Sequence, residues 1–393
     1  MQTAMSNSLA ARSAIPPFLV VILAEIVGAV VLFGLLTSDS TPVIVALFVL
    51  MAAGFALMQA RPAIEDGIVA AFRTSARLAI LLGIVLVLAF PFVIGSNTYA
   101  LHLLIVSLIY STLALALNFQ LGSVNIPNFA TGATYGIGAY TSALLAVNFG
   151  FSFWTTLPVS AAVATAFAFV LGFAAMRTRD SYLALVTIAF GIVIQQLLNN
   201  FQWTGGANGL VGIPAPAFFG HSFMQPIMLF GHRLPAQANF YYIAAVLLGL
   251  AILSAKRLHE SRIGLAWNAI RADELAARCQ GINVAWYKIL AFAVDAFLAA
   301  FAGTIYAFYV SYISPDNFTF LVSVTIMTMV IVGGMDNTFG VIVGAFLITL
   351  LPEKLRFFAD YRLLFVSVVV ILFLVLRPRG LFPQRQRHYG AGQ

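Results

Sequence analysis

Residues 78 to 176 contain no Asp, Glu, Lys or Arg. One membrane-crossing helix needs about 20 apolar residues, so this run alone has room for several. No water-soluble domain covers its surface with so long a charge-free stretch, and the surrounding solvent is therefore lipid. The rest of the chain agrees: 62% of its 393 residues are hydrophobic and 8% are charged, where soluble domains carry about a quarter charged residues. A transmembrane barrel would show short segments of alternating polarity, and none stand out. The fold class expected is all-α, a polytopic helical membrane protein with about 10–12 transmembrane helices and a cytoplasmic coupling helix.

Hydropathy and helix breakers place spans near 16–36, 42–60, 77–95, 99–120, 124–147, 155–176, 183–200, 239–255, 288–311, 318–333, 338–352 and 362–376. With the N-terminus inside, 16 basic residues fall on inner segments and four outside (Arg233, Lys354, Arg356, Arg362). Basic residues favour the cytoplasmic side, so both termini are expected in the cytoplasm. The last third is the awkward part, because 351–362 puts three basic residues outside. A lone Arg12 before a long apolar run predicts an uncleaved first span. The chain divides into a two-span extension (1–75), a core (76–380) with an external loop (201–238) and an internal segment (256–287), and a basic cytoplasmic tail (381–393).

One cysteine, Cys279, excludes an internal disulfide, and no Cys/His cluster suggests a metal. The net charge of +7 is explained by short loops beside spans, not by nucleic acid. Lipid is the expected surrounding partner.

The internal segment "RADELAARCQGIN", residues 271–283, is unusually polar for this chain. Ile263, Ala266, Trp267, Ile270 and Ala277 recur at helical spacing, so one face packs on the bundle. Arg271, Asp273, Glu274 and Arg278 are left to face water or a partner. Glu274 and Arg278 are four apart in the favourable order, and Gly281 suits a left-handed cap. A rigid helix over 262–281 is the expectation; a plain surface helix between two spans fits the spacing equally well.

The same residues resemble the coupling motif of ABC-transporter permeases. Glu274, Ala276, Ala277 and Gly281 stand in its Glu-Ala-Ala…Gly pattern, with Leu275 inserted. Together with "TGGANGLVGIP" (204–214) and "VGGMDNTFGVIVGAFLITLLPEKLR" (332–356), the chain is similar over roughly 80–380 to branched-chain amino acid permeases of the LivM type. The resemblance implies a permease half in the bacterial inner membrane, paired with a homologous subunit as a heterodimer. Two cytoplasmic ATP-binding subunits would dock on the internal helices of the pair, with Arg271, Asp273, Glu274, Ala276, Ala277, Arg278 and Gly281 as the coupling residues of this chain. A periplasmic solute-binding protein would dock near Gly205, Gly206, Asn208 and Gly209. The chain carries no G-x-x-x-x-G-K-[ST], the usual phosphate cradle. The resemblance implies no cofactor here and no enzymatic step, with ATP and Mg on the partner subunits.

"NFQLGSVNIPNFATGATYGIGAY", 118–140, mixes amides and breakers into apolar sequence. Such groups facing lipid cost several kcal/mol unless partnered, so either a broken helix lines the passage or a loop meets the boundary. Gly132 and Gly136 allow close helix approach. Asn125, Asn128 and Asp295 are candidate path residues, because an intramembrane carboxylate is a functional-site hypothesis by default. Glu25, the other intramembrane acid, suits a contact with a partner helix. The leading expectation is an ATP-driven importer subunit for branched-chain or related amino acids working by alternating access. The rival is an ion-coupled transporter or channel using Asp295.

Overall fold

The computed structural model describes residues 16–60 apart from 39, and 67–354 apart from 69, 73, 96, 179, 219, 230 and 231. It also describes 361, 364, 367, 368, 370, 371, 375 and 380–382. Arg12, Arg61 and Arg73, most of the span expected at 362–376 and nearly all of the 381–393 tail lie outside the described residues.

Helices dominate. In chain order they are α1 (Pro17–Thr37), α2 (Thr41–Ala60), α3 (Ala76–Ile94), α4 (Thr98–Leu121), α5 (Thr131–Phe149) and α6 (Phe153–Met176). There follow α7 (Asp180–Asn200), α8 (Gln237–His259), α9 (Arg262–Ala272), α10 (Glu274–Cys279), α11 (Val284–Val310), α12 (Phe320–Gly333) and α13 (Thr338–Lys354). Each expected span through 338–352 meets a helix, with one correction: the span expected at 124–147 starts only at Thr131, because residues 122–130 are irregular. Among the described residues, eight stretches are long and apolar enough to cross a membrane. The chain is an all-α, polytopic membrane protein.

Burial ranks the helices. The most apolar window of α4 is 83% buried and that of α11 72%, against 17% for α1 and α3. So α4 and α11 form the centre, while α1 and α3 present Leu23, Val30, Ile80 and Leu81 outward. Lipid tails are as apolar as leucine, so backbone proximity decides packing inside such a bundle. A Cβ on Gly138 would lie 2.8 Å from that of Ala300, and one on Gly303 would strike the Tyr135 carbonyl. These two contacts bring α5 and α11 backbone to backbone. Gly132 and Gly136 serve a similar purpose toward Ser323 and Phe318.

Two ends follow from the chain path. One end gathers the α1–α2 and α5–α6 turns and residues 201–236. Those residues fold as an ordered loop of two 3-10 turns, Gln202–Thr204 and Gly206–Asn208, and short strands. β1 (Leu210–Val211) pairs antiparallel with β6 (Tyr312–Ile313). Two hairpins complete it, β2 (Ala217–Phe218) with β3 (His221–Ser222) and β4 (Ile227–Leu229) with β5 (His232–Leu234). The opposite end, here the arm face, carries α9, α10 and the α12–α13 turn.

The expected single helix over 262–281 needs correction. It is two helices, broken at Asp273, whose backbone is extended (φ −160, ψ 111). The reason is local. Asp273 is a better N-cap than helix interior, and its Oδ1 accepts from the Ala276 N–H at 2.9 Å. Ser261 caps α9 in the same way, accepting from Ile263 and Gly264.

Candidate functional site: the arm and the broken helix

The arm is fastened to the bundle by its apolar side. Trp267, Ala266, Ile270 and Ala277 are buried, and Trp267 Nε1 donates to the Tyr287 carbonyl at 2.9 Å. Gly281 takes φ +81, the left-handed cap the sequence suggested. The charged side chains divide unexpectedly. Arg271 turns inward, its Nη1 3.0 Å from Asp336 Oδ2. Glu274 lies between two cations, with Oε2 accepting from Lys288 at 2.6 Å and Oε1 from Arg278 at 2.5 Å. Partial burial pushes the Glu274 carboxyl up, but the bonds and charges of Lys288 and then Arg278 outweigh it, leaving it below the ordinary 4.5. Arg271 and Glu274 were expected to face outward; an ion pair for each buried partner explains why they do not. What α10 leaves open is Leu275 (71% exposed) with Ala276, Arg278 and Cys279 around it.

Asp336 was missed from sequence, where the stretch 332–356 served only the family resemblance. It occupies the α12–α13 turn with φ +67. Its N–H donates to Asn118 Oδ1 at 2.8 Å. Ser123 Oγ donates to its Oδ1 at 3.1 Å, and His259 Nε2 stands 3.5 Å from the same oxygen.

The second feature is the break after α4. Residues 122–130 are irregular before α5 begins at Thr131. Asn125 has φ +59 and is exposed; asparagine tolerates that region better than most residues. Asn128 is buried, and its amide donates to Asp295 Oδ2 at 3.0 Å. Gln120 Nε2 and Thr131 Oγ1 each reach that oxygen at 3.0 Å. Asp295 lies eleven residues into α11, or roughly 16 Å at the helical rise. Irregular backbone thus reaches well into the bundle, which is tolerated only where protein or a cavity covers it. Asn128 and Asp295 are brought together; Asn125 stands apart from them. Asp295 Oδ1 and Gln120 Oε1 are buried without a hydrogen-bond partner among the described residues.

At the other end, the loop glycines serve the loop's own closure. A Cβ on Gly209 would strike the Ile313 carbonyl, and one on Gly205 the Gly209 carbonyl. Asn208 is exposed, and its carbonyl accepts from Tyr312 at 3.2 Å. No group of three or more His, Cys, Asp or Glu side chains that would hold a metal occurs among the described residues.

A bundle of membrane-length helices around an irregular break, with a polar arm on one face, defines a multi-pass membrane protein. A family model described as "Branched-chain amino acid transport system / permease component" matches residues 99–376. The chain belongs to this family, the branched-chain amino acid permeases of ABC transporters. It is 36% identical over 313 residues to the LivM permease protein of Escherichia coli K12, covering 76% of this chain and 73% of that one. The LivM permease of Salmonella typhimurium LT2 is equally similar. The LivH permease of Escherichia coli K12 is 23% identical over 286 residues, 69% of this chain and 90% of that one. No solved structure matches.

Proposed function

We propose that the chain is one permease subunit of an ATP-driven importer for branched-chain or related amino acids. It sits in the bacterial inner membrane with both termini in the cytoplasm and pairs with a second, homologous permease. Two ATP-binding subunits dock on the internal arms of the permease pair, and ATP with Mg is bound on those chains. A periplasmic binding protein delivers solute at residues 204–214, where Asn208 is exposed. Closure of the ATP-binding subunits moves the arm, and the spans around residues 122–130 alternate access. Asn125, Asn128 and Asp295 belong to that path.

The observation that carries the reading is the division of α10. Glu274 and Ala277 hold it to the bundle, while Leu275 stands 71% exposed at the tip of a polar helix. A large apolar side chain left open on a polar helix suits burial against another protein. The test is assembly of the chain with its second permease and ATP-binding subunits, then reconstitution with binding protein. Leu275→Glu is expected to lower retention of the ATP-binding subunits and ATP-dependent leucine uptake by at least about tenfold, a hot-spot effect. Full retention and uptake would remove the docking assignment.

A second reading rests on the unpartnered Asp295 Oδ1: an ion-coupled transporter. Uptake by this chain alone under an ion gradient, without nucleotide, would favour it.

A further inference from the structure

Four parts of the chain converge on one carboxylate at the arm face. Asp336 supplies its main-chain N–H to Asn118 at the end of α4. Its Oδ2 takes Arg271, one residue before the end of α9. Its Oδ1 takes Ser123, the second residue beyond α4, with His259 of α8 alongside. Ser123 Oγ and His259 Nε2 are themselves 3.0 Å apart. The site admits no slack: a Cβ on Gly122 would lie 2.6 Å from the Asp336 nitrogen. The Asp336 side chain is 8% exposed and that of Arg271 28%.

The turn that carries Asp336 is itself anchored. Asn337 Oδ1 accepts from the Gly340 N–H at 3.1 Å, and its Nδ2 donates to the Phe382 carbonyl at 3.0 Å. Leu381 and Phe382 donate their N–H groups to the carbonyls of Val332 and Gly333. A displaced arm therefore pulls on a carboxylate held by a firm turn, and the other oxygen of that carboxylate holds Ser123 in the irregular segment.

We infer that Asp336 is a positioning residue of the transport cycle: it links Arg271 of the arm to Ser123 of the re-entrant segment, so that arm movement repositions residues 122–130. The link rests on the importer reading above. It adds the route by which the push reaches the passage. Arg271 acts from behind the arm, and its guanidinium belongs to the permease's own interior. Coupling of this kind needs an element with two arrangements that both ends bias. The break at 122–130 is the irregular backbone here, and Asp336 touches its start.

The experiment uses the full reconstituted complex and measures leucine uptake and ATP hydrolysis in the same vesicles. Asp336→Asn keeps the shape and removes the ion pair. Ser123→Ala removes one bond on the other side of the same carboxylate and serves if the first variant fails to assemble. Both are expected to assemble and hydrolyse ATP near the parental rate, while leucine moved per ATP falls by about tenfold, within the usual range of coupling between sites. The exchange Arg271→Asp with Asp336→Arg is expected to recover part of the ratio. A purely structural cross-link would lower assembly and leave the ratio in assembled complexes unchanged, which overturns the proposal. A parental complex that hydrolyses ATP without any leucine uptake would overturn the importer reading and this link with it. Parental coupling shared by both variants sinks the link alone.

Discussion

Lys354 is the final residue of α13, and its ammonium is buried. It donates to the Leu36 carbonyl at 3.1 Å and the Ser38 carbonyl at 3.0 Å. These carbonyls end α1, where the helix dipole is negative. The residue that looked out of place in a charge count is the clasp between α1 and the core. Lys354→Met is expected to lower stability by about 2 kcal/mol, the worth of hydrogen bonds to a charged group, read as a lower Tm in detergent. Glu274 gives a pH test. Its carboxyl is held below 4.5 by Lys288 and Arg278 despite partial burial. The stabilisation is therefore fully present above the unfolded value and is lost as pH falls through the lowered folded value. A nitroxide on Cys279, exposed and the chain's one cysteine, is expected to gain mobility across that acid window. Lys288→Met is expected to show the same mobility at neutral pH. Constant mobility in both would remove Glu274 as the tether.

At the level of elements, sequence periodicity read the spans well and the joints poorly. The 3.6-residue pattern of Ile263, Ala266, Trp267 and Ile270 located α9 and its buried face, because burial of apolar side chains is what such a pattern encodes. The break at Asp273 was legible too, since aspartate followed by a helical stretch is a capping signal, but the pattern of charges outweighed it. Asp273→Ala is expected to speed amide exchange over residues 274–279 about fivefold, equal to roughly 1 kcal/mol of capping, with α9 unchanged. The broken segment divides similarly. Asn128 and Asp295 were picked out because polar groups in apolar sequence need partners, and they proved to be partners of each other. Gln120 and Thr131 were not, because long-range pairing leaves no local trace. Asp295→Ala removes an acceptor shared by three buried donors, of which Gln120 and Asn128 keep longer contacts to the Ala291 carbonyl and Thr131, and is expected to cost about 1–3 kcal/mol. Asp295→Asn, which keeps an acceptor oxygen, is expected to melt between that variant and the parent.

Across the whole molecule, composition alone was enough for the class, since 8% charge cannot cover a soluble surface. The family came from short motifs, and the match over 99–376 bears that resemblance out. The Asp336 junction was invisible for a physical reason. It joins positions 118, 123, 259, 271 and 336, and only a folded bundle makes those neighbours. Residues 274–279 meet the interior through Glu274 and Ala277 alone among the features described above, and the backbone ladder before them is cut at Asp273. Exchanging the other four residues of that piece is therefore expected to leave the packing behind it, and with it the Tm in detergent, unchanged.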